Sequence, residues 1–283
     1  MGRTGQPVQT LCSKRGMGGL QRHEFEPALL ELIGVHLPDD RVTQVICCGM
    51  VGARQGWEEV EYIATPCTVP NGNDAKLAAT NDPRIKVLIL PGLKQTDPAD
   101  VMRGEETQIA GFLEENHGFN GIICLPGTHT KWVQVDGEKI AGFCTFMTGE
   151  LFSLLSERSV LRHSISATGW SDENFTVALA DALSDPESIS AMLFCIRAQS
   201  LILDLNPEAA RARLSGLLIG MEMAAMGPSL QGQAVAVVGA AGISGVYGAG
   251  LEALNLSPVV VNANDVTLHG LCAAHQKIRN SAQ

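Results

Sequence analysis

The sequence predicts an α/β protein of two lobes, and three observations carry that prediction. Short apolar, β-branched runs end at Gly or Pro, as in Val45-Ile46-Cys47-Cys48-Gly49 and Leu88-Ile89-Leu90-Pro91-Gly92, which marks buried strands. Between such runs lie segments whose apolar residues recur at helical spacing. In the middle stands Asp136-Gly137, flanked by apolar residues on both sides, the strongest short-range signal for a β-hairpin. Strands alternating with helices mean α/β, and 283 residues exceed one small core. The strand restart at Gly121 and the hairpin after it set the expected lobes at 1–121 and 122–283.

Taken in order, residues 1–19 read as polar coil or a short strand around 8–11. Phe25, Ala28, Leu29, Leu32 and Ile33 place a helix over 24–35. Residues 42–48 form a buried strand, and a Gly-punctuated loop follows over 50–57. A second strand spans 85–90, a loop 97–103, a helix 104–113 and a third strand 121–125. After the hairpin come helices over 149–161 and 188–203. Asn206-Pro207 is a good cap and first-turn pair, and its helix should run to Met226, where Gly227-Pro228 stops it. The chain closes with a strand at 234–238, a Gly-rich turn, a helix to about 254, a strand at 259–261 and a helix at 268–278.

Composition excludes several classes. Thirty acids against twenty bases leave a net charge of −10 with no basic patch, so nucleic acid is not expected as a partner. No stretch is long and apolar enough for a membrane span, and residues 1–19 lack the apolar core of a signal peptide. The eight cysteines form no CxxC pair, and most sit in apolar runs, as buried thiols of a reducing cytosol do. A cytoplasmic location is the expectation. The oligomeric state stays open.

Three clusters could carry chemistry. The first is Met102-Arg103-Gly104-Glu105-Glu106-Thr107-Gln108 at a helix start. Acids in a first helical turn also complement the helix dipole, so a structural role explains them equally well. The second is Pro126-Gly127-Thr128-His129-Thr130-Lys131-Trp132, where a buried strand leads into a Gly-Thr turn. Backbone amides and hydroxyls there can cradle phosphate oxygens, and Lys131 could add positive charge. The rival reading is a plain turn with an exposed lysine. The third is Gly239-Ala240-Ala241-Gly242-Ile243-Ser244-Gly245, between strand and helix. Its spacing is not GxGxxG, and no GxxxxGK[ST] occurs in the chain. His269, Cys272 and His275 read as core or surface residues rather than a zinc site.

The order of these clusters resembles sugar kinases of the two-lobed actin-like ATPase (ribonuclease H-like) fold. With Gly49-Met50-Val51-Gly52, Gly56-Trp57, Phe146-Met147-Thr148-Gly149-Glu150-Leu151 and Ser215-Gly216-Leu217-Leu218-Ile219-Gly220, the chain is similar to the 2-dehydro-3-deoxygalactonokinase family from about residue 16 to its end. That resemblance implies ATP-dependent phosphorylation of 2-dehydro-3-deoxy-D-galactonate on its terminal hydroxyl, with Mg²⁺ accompanying ATP. Glu105 resembles the family's base and Glu106 is its close rival. Gly49, Met50, Gly52, Trp57 and Arg103 would face the sugar acid. Gly127, Thr128, Thr130 and Lys131 would form the second phosphate loop, and Gly239, Gly242 and Gly245 the adenosine turn.

One departure stands out. Kinases of this fold open with a strand–turn–strand carrying an Asp and a first Gly-Thr phosphate loop, and residues 1–19 show neither. The expectation is therefore a chain whose N-terminal strands are missing, from a truncated or mis-started gene product. The alternative is a degenerate, non-catalytic relative that binds sugar acid or nucleotide. A dinucleotide-dependent oxidoreductase using 239–245, with Asp265 as its acid, is the weaker rival.

Overall fold

The computed structural model describes residues 7–281 and divides into two compact units. The first comprises 1–119, 135–142 and 263–283; the second comprises 120–134 and 143–262. The chain thus leaves the first unit at residue 120, re-enters it over 135–142, and returns to it for its last helix.

The first unit begins with helix α1 (Phe25–Ile33), extended at both ends by single 3₁₀ turns. Its strands are β1 (Thr43–Cys47), β2 (Ile63–Ala64), β3 (Cys67–Thr68), β4 (Lys76–Leu77), β5 (Ile85–Ile89), β6 (Leu93–Thr96) and β7 (Ala99–Met102). Helix α2 (Glu105–Glu115) follows, and α8 (Ala263–Ser281) ends the chain. Two three-stranded sheets form, β1-β5-β4 and β2-β6-β7. In the first, β1 and β5 are parallel, with Val45 opposite Val87. The core around Phe25, Trp57, Val60, Val87 and Ile89 explains the apolar runs. Helices α2 and α8 cross at glycines: a Cβ on Gly111 would lie 1.8 Å from the Val266 carbonyl oxygen, and one on Gly270 2.0 Å from that of Thr107.

The second unit holds β8 (Gly121–Leu125), β9 (Thr130–Asp136), β10 (Lys139–Phe146), α3 (Thr148–Arg158), α4 (Asp172–Ser184), α5 (Ile189–Ile202), α6 (Pro207–Leu230), β11 (Ala234–Gly239), α7 (Ala241–Ala253) and β12 (Val259–Asn262). The strands stand in the order β12-β11-β8-β9-β10, with β11 parallel to both β8 and β12. Every residue of β8 is buried, as expected of strands covered on both faces. The hairpin turns at Gly137, with φ +61°; its tip belongs to the first unit, where Lys139 and Ile140 pair with Thr68 and Cys67. Helices α4 and α6 pack so closely that a Cβ on Gly216 would lie 2.5 Å from the Phe175 carbonyl oxygen.

Some elements differ from expectation. Residues 8–11 form no strand. Residues 97–103, read as a loop, contain β7, which pairs antiparallel with β6. Helix α6 does not stop at Gly227-Pro228 but carries Pro228 inside its last turn and ends at Leu230. The reason is tertiary: Leu230 is 1 % exposed within the second unit's core, and burial outweighs one lost backbone hydrogen bond. Asn206 caps the helix as expected, accepting from the Ala209 N–H at 2.8 Å.

Candidate active site

In the first unit, β1 delivers the chain to a single 3₁₀ turn, Gly49–Gly52, and β7 delivers it to the start of α2. These two segments meet. A Cβ on Gly104 would lie 3.2 Å from the Gly49 Cα, and both glycines have positive φ, +110° and +81°. Arg103 reaches back beneath the turn. Its Nη2 donates to the Val60 carbonyl at 2.7 Å, its guanidinium lies 4.2 Å over the Tyr62 ring, and its Nη1 would stand only 2.9 Å from a Cβ on Gly52. The residue is 9 % exposed, and its Nε and Nη1 have no hydrogen-bond partner.

The two acids at the start of α2 differ in environment. Glu105 is half-buried, and its Oε2 accepts from the Arg103 N–H at 3.0 Å. Glu106 is 1 % exposed; its Oε2 accepts from the Gly104 N–H at 2.6 Å and its Oε1 from the Thr107 hydroxyl at 3.2 Å. Burial, helped by the neighbouring Glu105 charge, pushes the Glu106 carboxyl up to about 7. Burial, aided by Glu106, likewise pushes the Cys48 thiol up to about 11, which keeps it protonated and inert. Met50 is exposed, whereas Trp57, expected to face the sugar acid, is 7 % exposed and stacks on Phe25 within the core. It holds the loop from behind.

In the second unit, the turn after β8 is strapped to the start of α3. The Glu150 N–H donates to the Thr128 carbonyl at 2.9 Å, and His129 Nε2 lies 2.5 Å from Glu150 Oε2. A Cβ on Gly149 would lie 2.3 Å from the Gly127 carbonyl oxygen. Thr130 is fully buried, its hydroxyl paired with Tyr247 Oη at 2.9 Å, and Lys131 is 5 % exposed rather than free in solvent.

Gly127, Thr148, Gly149, Trp170, Gly242 and Tyr247 help line a cavity of about 280 Å³. A second cavity of about 640 Å³ shares Trp170, Arg211 and Gly242 with it and adds Gly245. These volumes match small-molecule sites. Gly239 is not at either wall; it lies under Ser244, whose Oγ would sit 2.6 Å from a Cβ there. The Glu105 and Arg103 cluster belongs to one unit and the Gly127, Thr128 and Gly242 cluster to the other.

Residues that sequence reasoning passed over also line this pocket. Trp170 and Arg211 fall in segments without a motif. Behind the wall lies Glu222, 0 % exposed. Its signal was present: it is a lone acid in the apolar run Leu217-Leu218-Ile219-Gly220-Met221-Glu222-Met223, and a charge placed there needs partners. Among the described residues no group of three or more His, Cys, Asp or Glu could hold a metal ion unaided, and no described helix is long and apolar enough to cross a membrane.

Comparison with known proteins gives a consistent picture. A family model described as 2-keto-3-deoxy-galactonokinase matches residues 1–274. The chain is 38 % identical over 251 residues to "Probable 2-dehydro-3-deoxygalactonokinase DgoK1" of Rhizobium meliloti (strain 1021), covering 86 % of this chain and 79 % of that protein. It is 32 % identical over 241 residues to "2-dehydro-3-deoxygalactonokinase" of Escherichia coli (strain K12), covering 84 % and 80 %. Its fold matches the solved structure "Crystal structure of a putative 2-dehydro-3-deoxygalactonokinase protein from Sinorhizobium meliloti" with a TM-score of 0.83 at 36 % identity, over 90 % of this chain and 85 % of that one.

Proposed function

Because the chain belongs to the 2-keto-3-deoxy-galactonokinase family, we propose that it transfers the γ-phosphoryl group of ATP to the terminal hydroxyl of 2-dehydro-3-deoxy-D-galactonate, giving the 6-phosphate and ADP. The family match over nearly the whole chain carries this reading. The proposed cellular setting is galactonate catabolism in the cytoplasm, with ATP and the sugar acid as partners.

Phosphoryl transfer asks the protein for positioning and charge stabilisation rather than covalent chemistry. Glu105 is the proposed base, because it is half-buried and can meet a ligand. Its carboxylate takes the proton of the terminal hydroxyl while that oxygen attacks the γ-phosphorus. The bond from the γ-phosphorus to the β–γ bridging oxygen breaks, and its electron pair leaves on ADP. Glu106 is the rival base, favoured by an acid strength near neutrality. Against it stands its near-complete burial, and the role assigned to it here is to tie Gly104 and Thr107 into the start of α2.

Arg103 is the proposed holder of the sugar acid's carboxylate. A guanidinium that is desolvated with two nitrogens unmet still demands an acceptor, and a carboxylate supplies one of the right charge. Gly49, Met50 and Gly52 form the adjoining wall, and Trp57 supports it. On the nucleotide side, the turn through Gly127, Thr128 and Thr130 would cradle phosphate oxygens through its amides, with Lys131, buried at the start of β9, adding positive charge. Gly242 and Gly245, with Trp170 and Arg211, would line the nucleoside's place. Gly239 lets Ser244 pack at the turn.

The backbone amides of this turn suit phosphate oxygens rather than a bare cation, so Mg²⁺ would enter with ATP and be held by phosphates and water. When bound, it neutralises charge on the transferring phosphoryl group. The test is mass spectrometry of the sugar acid after incubation with the protein and ATP. A single added phosphate that requires both ATP and protein supports the reading; unmodified sugar acid with intact ATP rejects it.

A further inference from the structure

The carboxylate of Glu222 joins four elements of the second unit. Its Oε1 accepts from the Trp132 indole N–H on β9 at 2.6 Å. Its Oε2 accepts from the Tyr247 hydroxyl on α7 at 2.9 Å and from the Thr148 hydroxyl at the start of α3. Tyr247 has a single proton, and that proton goes to the carboxylate. The Thr130 hydroxyl must therefore donate to Tyr247 Oη. The second phosphate turn enters β9 at Thr130, and Thr148 and Tyr247 line the cavity beside Gly127, Gly149 and Gly242.

We infer that Glu222 is a positioning residue for the nucleotide: one buried carboxylate on α6 fixes the second phosphate turn, the start of α3 and the middle of α7 against one another, and turns the Thr148 proton away from the cavity so that its hydroxyl oxygen presents lone pairs to the ligand. The inference rests on the reading that this cavity takes ATP.

Two physical points support it. Leaving one of three buried donors without an acceptor is costly, so the arrangement has one low-energy form while the carboxylate is ionised. All partners are neutral, however, and burial pushes the carboxyl up to about 7. Once protonated, Glu222 must donate, and a hydroxyl must turn round to accept. The titratable groups that face it are Tyr247 on α7 and Cys124 on β8; burial drives both far above neutrality, so neither titrates alongside it.

The test compares wild type with Glu222→Gln, which keeps the volume but sets an amide N–H₂ where one acceptor oxygen was. Loss of a hydrogen bond to a charged group should raise the KM for ATP by roughly tenfold, with the KM for the sugar acid unchanged. In wild type the KM for ATP should rise as pH falls below 7 more steeply than in the variant; titration of ATP itself is common to both. Should Glu222→Gln not fold, Thr130→Val serves, because that hydroxyl reaches the carboxylate through Tyr247; its KM for ATP should rise about threefold. An ATP KM and pH profile equal to wild type in the folded variant overturns the inference. Calorimetry of MgATP with the wild-type protein separates the two readings: no binding there rejects the nucleotide site itself.

Discussion

Gly104 lies against Gly49 so closely that a Cβ on the former would stand 3.2 Å from the Cα of the latter. This contact joins the end of β1 to the start of α2, and it sets where Glu105, Glu106 and Arg103 stand relative to the Gly49–Gly52 turn. Gly104 also has φ +110°, which an L side chain adopts only under strain.

Gly104→Ala should therefore cost about 1–3 kcal/mol of stability and displace the acids from the turn. Thermal melting should record the loss. Steady-state kinetics should show the KM for the sugar acid rising while the KM for ATP stays, since Gly104 and the nucleotide cavity belong to different units.

Glu105→Gln keeps the size and hydrogen-bonding capacity of the side chain but removes the base. A general base typically contributes roughly 10²–10⁴-fold, so kcat should fall by about that factor with ATP affinity unchanged. Glu106→Gln should cost less in kcat, because its carboxylate is enclosed by Gly104 and Thr107. The reverse order of effects would transfer the role of base to Glu106.

Glu106 also makes a prediction about stability. Its folded pKa is raised from 4.5 to about 7 by burial first. The group therefore favours the fold fully below the ordinary carboxylate range, and that contribution is lost as pH rises through 7. Glu106→Gln has no such titration. The stability of wild type minus that of the variant should fall as pH rises from about 5 to about 8. Urea unfolding at several pH values measures it, and a difference that grows with pH would mean the carboxyl is not desolvated in solution.

Gly149→Ala would place a Cβ 2.3 Å from the Gly127 carbonyl oxygen, a backbone atom. The turn and the start of α3 must move apart. The KM for ATP should rise by at least about tenfold, the equivalent of roughly 1.4 kcal/mol, while the KM for the sugar acid holds. An unchanged ATP KM would detach this turn from the nucleotide.

Much of this was legible in the residues. The strands β5, β8 and β11 announced themselves as buried β-branched runs closed by Gly or Pro, and Asp136-Gly137 marked its hairpin. Strand β1 forms where its run predicts, but none of its residues is buried and Gln44 is exposed, so the expected buried strand is corrected to a partly covered one. What escaped had little local signal. Strands β2, β3 and β4 are two residues each, too short for alternation to register, and exist only through their partners. Helix α6 ran past Pro228 because Leu230 is held by the core. At the site, glycines and acids betrayed themselves by motif. The burial of Thr130, Lys131 and Trp57 did not, since nothing in a sequence says which face of a turn is covered. Glu222 was visible as a lone acid in the apolar run 217–223 of α6, but its partners lie on β9, α3 and α7 and only folding brings them together.

The most direct measurement of the central claim is the rate of ADP release by the wild-type chain with MgATP, in the presence and absence of 2-dehydro-3-deoxy-D-galactonate. The account predicts saturable release that depends on the sugar acid and falls by roughly 10²–10⁴-fold in Glu105→Gln. ADP release that ignores the sugar acid, or that persists undiminished in Glu105→Gln, would contradict it.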